Sequence, residues 1–215
     1  MTAGDETARC KDALLEAMLP HVAFDGWSPA ALAEGARTLG WAPDEAGLVF
    51  AGGADAARQW LDDWADRRMV ERLRATDLSA LRTHHRVAAA LKARLAALGP
   101  YREAVRLALA SRFTPFGAAY AAQAVYRTVD AIWWEVGDAA TDFNFYTKRG
   151  ILAAIHASAV LYWLVDTSED GADTESYIDR RIADAGRLPV LRRLAEDTLR
   201  RWRSAAADFR REARL

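Results

Sequence analysis

Helical periodicity runs along almost the whole of this 215-residue chain, and it narrows the fold more than any motif does. Apolar residues recur at three- and four-residue steps, strand-like alternation is absent, and Ala, Leu, Arg and Glu dominate. Breaks fall at Pro and Gly. "DGWSP" separates the first two segments, with Ser28 as N-cap and Pro29 at the first helical position. Gly40, the "AGG" at 51–53, Gly99-Pro100 and the turn at 114–117 close later ones. The spacing predicts helices over 6–24, with a kink or early stop at Pro20, then "AALAEGARTLGW", "APDEAGLVF", 54–75, 82–98, "YREAVRLALASRF", 118–136, 142–165, 174–186 and 190–213. About ten helices in this order imply one all-α bundle.

The first three helices form a helix-turn-helix-like module over 1–53, followed by a helical body over 54–187 and a last helix over 188–215. The whole order resembles the TetR-type repressor fold. A repressor's third helix needs cations for phosphates and base edges. Here it reads "APDEAGLVF", with Asp44 and Glu45 and no Lys or Arg. From His21 to Trp64 seven acids face two arginines, a net of −5. A face so acidic repels DNA, and no nucleic-acid partner is expected.

Composition excludes several classes. The formal net charge is −1 and 52% of residues are apolar, so long disordered segments are not expected. Cys10 alone allows no intrachain disulfide and fits a reducing compartment. The acid-bearing N-terminus does not read as a secretory signal, and "GILAAIHASAVLYWLV" falls short of a bilayer span. No catalytic, nucleotide or metal-ligand motif appears, so no enzyme and no cofactor or metal is expected. His84 and His85 read as surface or partly packed. His156, on an apolar helix, reads as a bonded core histidine or a ligand contact.

Three regions stand out beyond the fold. "GDAATDFNFYTKRG" sets aspartates, aromatics and cations between two apolar runs. If a helix starts near Asp142, then Asp142, Phe145, Tyr146 and Arg149 share a face that points away from the apolar side. Phe143, Gly150, Ile151 and Ala154 fall toward the core. Aromatics beside Arg are the composition of an interface hot spot, and Asp130 lies one helix earlier within reach. Beside the stripe, Val125, Val129, Ile132, Trp133 and Val136 face Ile151, Leu152, Ile155, Ala159 and Tyr162. With small residues between them, such helices form either a filled core or a pocket for a long apolar ligand. The last helix carries eight arginines and four acids, net +4. Leu191, Leu194, Trp202 and Phe209 lie along one side, with Arg200 and Arg203 among the cations. It suits a membrane interface, its own domain or a second subunit.

"TVDAIWWEVGDAATDFNFYTKRGILAA", "LPHVAFDGWSPAAL" (19–32) and "DTSEDGADTESYIDRRI" (166–182) together resemble the ubiquinone-biosynthesis lipid-binding accessory family, the Coq-nine proteins. The resemblance implies a TetR-like fold without DNA binding and a homodimer by analogy. It implies an isoprenoid quinone precursor held by the helices that carry Val129, Ile132, Trp133, Val136, Ile151, Leu152, Ile155, Ala159 and Tyr162. It implies a contact with the di-iron demethoxyubiquinone hydroxylase through Asp130, Asp142, Phe145, Tyr146 and Arg149. It further implies peripheral attachment to the inner membrane from the cytoplasm through the last helix. The chain has Ala140 and Phe145 where the family motif usually has Ser and Trp, which removes contact area and an indole donor. The other readings are a TetR-type ligand-responsive transcriptional regulator, which predicts salt-sensitive operator binding, and a ligand-free structural dimer.

Overall fold

The computed structural model describes residues 3–111, 115–137 and 143–186. Among them are nine α-helices and no strand: α1 (Ala3–Asp25), α2 (Pro29–Thr38), α3 (Pro43–Val49), α4 (Gly53–Ala75), α5 (Thr83–Leu98), α6 (Arg102–Ala110), α7 (Pro115–Glu135), α8 (Phe143–Val165) and α9 (172–186). These are nine of the ten helices expected. The tenth, over 190–213, lies outside the described residues, as do Leu191, Leu194, Arg200, Trp202, Arg203 and Phe209, the residues expected to meet a membrane.

The punctuation works as the residue types dictate. Ser28 Oγ accepts from the Ala31 N–H at 3.2 Å, Pro29 opens α2, and Gly40 leaves it at φ +72°. Pro20 lies inside α1, which continues through it to Asp25 without the early stop. The face of α1 read from the sequence, with Leu14, Leu15, Met18 and Val22, is wholly buried.

That face packs on α2 so closely that Gly35 has no room for a side chain. A Cβ there would sit 2.9 Å from the Met18 backbone. The other flank of α1 is tied to α4 by polar contacts. Trp60 Nε1 donates to Asp12 and Trp64 Nε1 to Glu16, each at 2.8 Å. Arg67 and Arg68 reach the same carboxylates while their guanidinium groups lie over the two indoles. Trp27 Nε1 donates to the Ala104 carbonyl of α6 at 3.0 Å, so the first three helices and the body share one core.

The body is built on α4, α5, α7 and α8. Helices α7 and α8 run antiparallel, with Asp130 beside Arg149. No helix among the described residues is long and apolar enough to cross a membrane.

Candidate functional site

The inward face of α8 is set by Arg149, Leu152, His156, Ala159, Val160 and Trp163, all buried. Those positions recur every three or four residues, so one stripe of the helix meets the bundle. This corrects the facing expected from the sequence. Arg149 turns inward, 9% exposed, whereas Gly150 and Ala154 point out and Ile151 is half-buried. The reason is a partner on the neighbouring helix. Arg149 donates from Nε at 3.1 Å and Nη2 at 2.8 Å to Asp130 Oδ1 of α7. That carboxylate offsets part of the cost of covering the guanidinium. Asp130 and Arg149 are thus ion-paired across α7 and α8. Asp142 lies outside the described residues, and Phe145 and Tyr146 fall in the first turns of α8 with side chains also outside them. Lys148 Nζ lies 5.5 Å from the centre of the Trp133 ring, beside the same pair.

The residues expected to hold an apolar ligand are mostly packed. Val129, Ile132, Trp133, Val136, Leu152, Ile155 and Ala159 are buried in the common core, and Tyr162 is stacked on Tyr177 of α9 at 4.6 Å. Ile151 is half-buried against that core. The open space lies farther along the same two helices. A cavity of about 220 Å³ is bounded by α4, α5, α6, α7 and α8. Leu61, Leu98, Val105, Val125 and Val160 form much of its wall, and Val125 belongs to the sequence-read pocket. Ala157 and Leu161 line it too and are exposed, Leu161 at 60%, which puts the mouth on the outer flank of α8.

The buried wall is not wholly apolar. Asp62, Arg94 and His156 line it beside Leu61, Leu98 and Ala108, each at most 9% exposed. Arg94 Nε donates to Asp66 at 2.7 Å and Nη2 to Asp62 at 3.2 Å, and Thr128 Oγ1 lies 2.9 Å from both oxygens of Asp66. Tyr120 donates to the Gln59 carbonyl at 2.7 Å, with Asp62 Oδ2 3.5 Å away. Burial works against the charge on Arg94, yet the two aspartates more than offset it and hold the guanidinium pKa above its usual value. At the outer edge, burial raises Asp63 above the usual carboxylate range despite Arg127, 3.2 Å away.

Sequence reading placed His156 between core and ligand contact, and it lines the cavity. It missed the charged part of the wall. The legible part was Asp62 and Asp66 four apart among Leu61, Ala65 and Met69, an acidic pair inside an apolar stripe. Nothing in the spacing said that Arg94 would meet them. His84 and His85 are exposed, as read.

The α3 end of the molecule does not offer a DNA reader's chemistry. Asp44 and Glu45 are exposed, and Glu45 Oε2 accepts from the Ala42 N–H at 2.6 Å, so this acid caps its own helix.

Comparison with known proteins places this geometry. Residues 118–189, which carry α7, α8 and α9, match the COQ9 family model. The chain is 30% identical over 178 residues to the human protein "Ubiquinone biosynthesis protein COQ9, mitochondrial", covering 80% of this chain and 56% of the human one. The rat protein of the same name is 31% identical over 178 residues, 80% of this chain and 57% of that one. The Dictyostelium discoideum "Probable ubiquinone biosynthesis protein coq9, mitochondrial" is 29% identical over 80% of this chain and 58% of its own length. The chain thus spans between 56% and 58% of these three relatives. Among solved structures, a TetR transcriptional regulator from Nitrosomonas europaea superposes with a TM-score of 0.69 at 21% identity, over 83% of this chain and 98% of that one. That likeness shows the TetR-like fold.

Proposed function

This chain is a relative of the COQ9 proteins, its residues 118–189 matching their family model, and on that premise we propose that it serves ubiquinone biosynthesis as a non-enzymatic accessory protein. It binds an isoprenoid quinone precursor and presents the ring to the late ring hydroxylase. Each buried methylene of such a lipid favours an apolar site or bilayer by about 0.8 kcal/mol. Shielding part of the molecule and handing over the reactive end is a delivery task that needs no catalysis. The observation that carries this reading is the cavity of about 220 Å³ bounded by α4, α5, α6, α7 and α8, of which α7 and α8 fall in the family match, with its mouth on the outer flank of α8.

In this reading the residues packed between those helices, Val129, Ile132, Trp133, Val136, Ile151, Leu152, Ile155, Ala159 and Tyr162, form the bed beside which the lipid lies. Asp130, Asp142, Phe145, Tyr146 and Arg149 form the hydroxylase face, with the Asp130–Arg149 pair fixing the start of α8 against α7. The basic segment 188–215 meets the membrane surface, which attaches the protein peripherally. A homodimer follows from the fold by analogy. An operator is not the partner, because α3 exposes acids where a phosphate contact needs cations.

Native mass spectrometry of gently purified protein, followed by organic extraction, tests this. An isoprenoid quinone or precursor near one per chain is the expected result. Lipid-free protein that also fails to load from membranes containing prenylated quinones overturns it. Tyr146→Ala is expected to weaken hydroxylase binding and leave lipid loading intact. Loss of both together overturns a separate partner face.

A further inference from the structure

No Asp, Glu, Lys or Arg occurs from Gly150 to Val165 of α8. Gly150, Ala154, Ala157, Leu161 and Val165 recur there at steps of three and four, so they share one stripe. All five are exposed, Leu161 at 60% and Val165 at 70%. The mouth of the hollow opens on this stripe, at Ala157 and Leu161. The hollow is also small. About 220 Å³ lies below the usual range of about 300–1,000 Å³ for ligand sites, so a long apolar ligand overfills it. The part that the hollow does not hold emerges over Ala157 and Leu161, where one chain alone leaves it wet.

Charge narrows what can cover the stripe. The segment 188–215 brings eight arginines, and 150–165 offers no acid to receive them. An anionic lipid surface would meet Glu169 and Asp170, both exposed just past the end of α8. A two-fold interface sets a patch against itself, which suits a stripe with no charge to repel its own copy. The two ends of the stripe then choose the direction. Lys148 stands before it, and Glu169 and Asp170 follow it. Parallel pairing sets like charges together, whereas antiparallel pairing turns each Lys148 toward the acids of the other copy. The middle of the stripe falls beside Ala157, at the mouth. Gly150, Ala154 and Ala157 are small enough to let two helices approach to the short end of the usual range of about 8–10 Å.

Building on the lipid-binding reading above, we propose that a second copy of this chain docks α8 against α8, antiparallel with Ala157 at the two-fold axis, and completes the ligand site by covering the mouth of the hollow. The stripe is about 24 Å long and about 10 Å wide, small beside the about 800 Å² per partner of a standard interface, so empty chains pair weakly. Ligand at the mouth adds apolar surface that only the pair covers. Loading therefore strengthens pairing, and pairing holds the load.

Cysteine cross-linking and sedimentation equilibrium of the full-length protein, with Cys10→Ala as background, test this. Ala157→Cys is expected to form a disulfide with its own copy under mild oxidation, and Ala183→Cys, exposed on α9, is not. Decylubiquinone should tighten dimerisation at least about tenfold. Leu161→Glu sets an acid near its own copy and should remove that gain, with the circular dichroism of the empty chain unchanged. A chain that stays monomeric with decylubiquinone overturns the proposal, as does equal cross-linking at position 183. So does another cover, shown by a disulfide from Ala157→Cys to Arg203→Cys within one chain, or by phosphatidylglycerol vesicles that shield position 157 with no dimer formed. The carrier reading fails separately. Quinone lipid that co-purifies with a strictly monomeric protein removes the pairing alone, whereas cross-linking at 157 in a protein that never carries lipid removes the carrier role while the interface stands.

Discussion

The helices that resemble a DNA-reading module and the helices behind them use their interiors in opposite ways. Between α1 and α2 the packing is so close that only glycine fits at position 35. Between α4 and α8 the chain leaves a hollow and lines part of its wall with the ion-paired Asp62 and Arg94. A dry, filled core gives stability and nothing else. A hollow with buried charge costs stability, and such a cost persists where the space has a use. On the reading proposed above, function belongs to the body, and the first three helices serve as structure.

The largest expected effect attacks the hollow. Arg94→Met leaves Asp62 and Asp66 buried without their cation and should cost about 3–5 kcal/mol in chemical denaturation. A loss below about 1 kcal/mol would mean that water reaches the cluster freely and that the contrast with the dry module is false. Next comes the module. Gly35→Ala forces a Cβ to 2.9 Å from the Met18 backbone and should cost about 1–3 kcal/mol. A neutral result would mean that α1 and α2 separate easily and that the module is not closely packed.

A smaller effect belongs to the junction between α8 and α9. The Ser168 and Thr174 hydroxyls, and then their backbone N–H groups, hold the Asp166 carboxyl well below its usual range. A depressed carboxylate pKa gives stability that is present above the unfolded value of about 3.9 and is lost as pH falls below it. Denaturation between about pH 5 and pH 2 should therefore weaken the native protein more steeply than Asp166→Asn. Parallel curves would show that Asp166 does not anchor α9. The smallest effect sharpens the contrast most. Ala157→Phe sits at the exposed mouth of the cavity and should change stability by less than about 0.5 kcal/mol while closing the site. Equal thermal melts with lost lipid loading would separate function from folding at one residue.

Much of this was legible before any coordinates. Caps and breakers such as Ser28, Pro29 and Gly40 act locally, so their spacing fixed the helix ends. The buried face of α1 followed from its apolar period. The face of α8 did not, because Arg149 goes inward only when Asp130 on another helix receives it. Polar burial depends on a partner, and partners nineteen or more residues away leave no trace in periodicity. The cavity was hidden for the same reason. A void belongs to the fit between helices, and no single helix encodes it.

Glu45 offers a last consequence. A repressor's reading helix is a surface kept in reserve, with its amino end available to whatever phosphate arrives. In this chain that end is already claimed from within, since the helix's own carboxylate accepts from the Ala42 N–H at 2.6 Å. Giving this end of the helix a phosphate contact would therefore demand two changes in sequence, removal of an acid that the helix uses and gain of cations that it lacks. The first step alone weakens the helix before the second can reward it. A single short hydrogen bond thus sets the order in which such changes could be made.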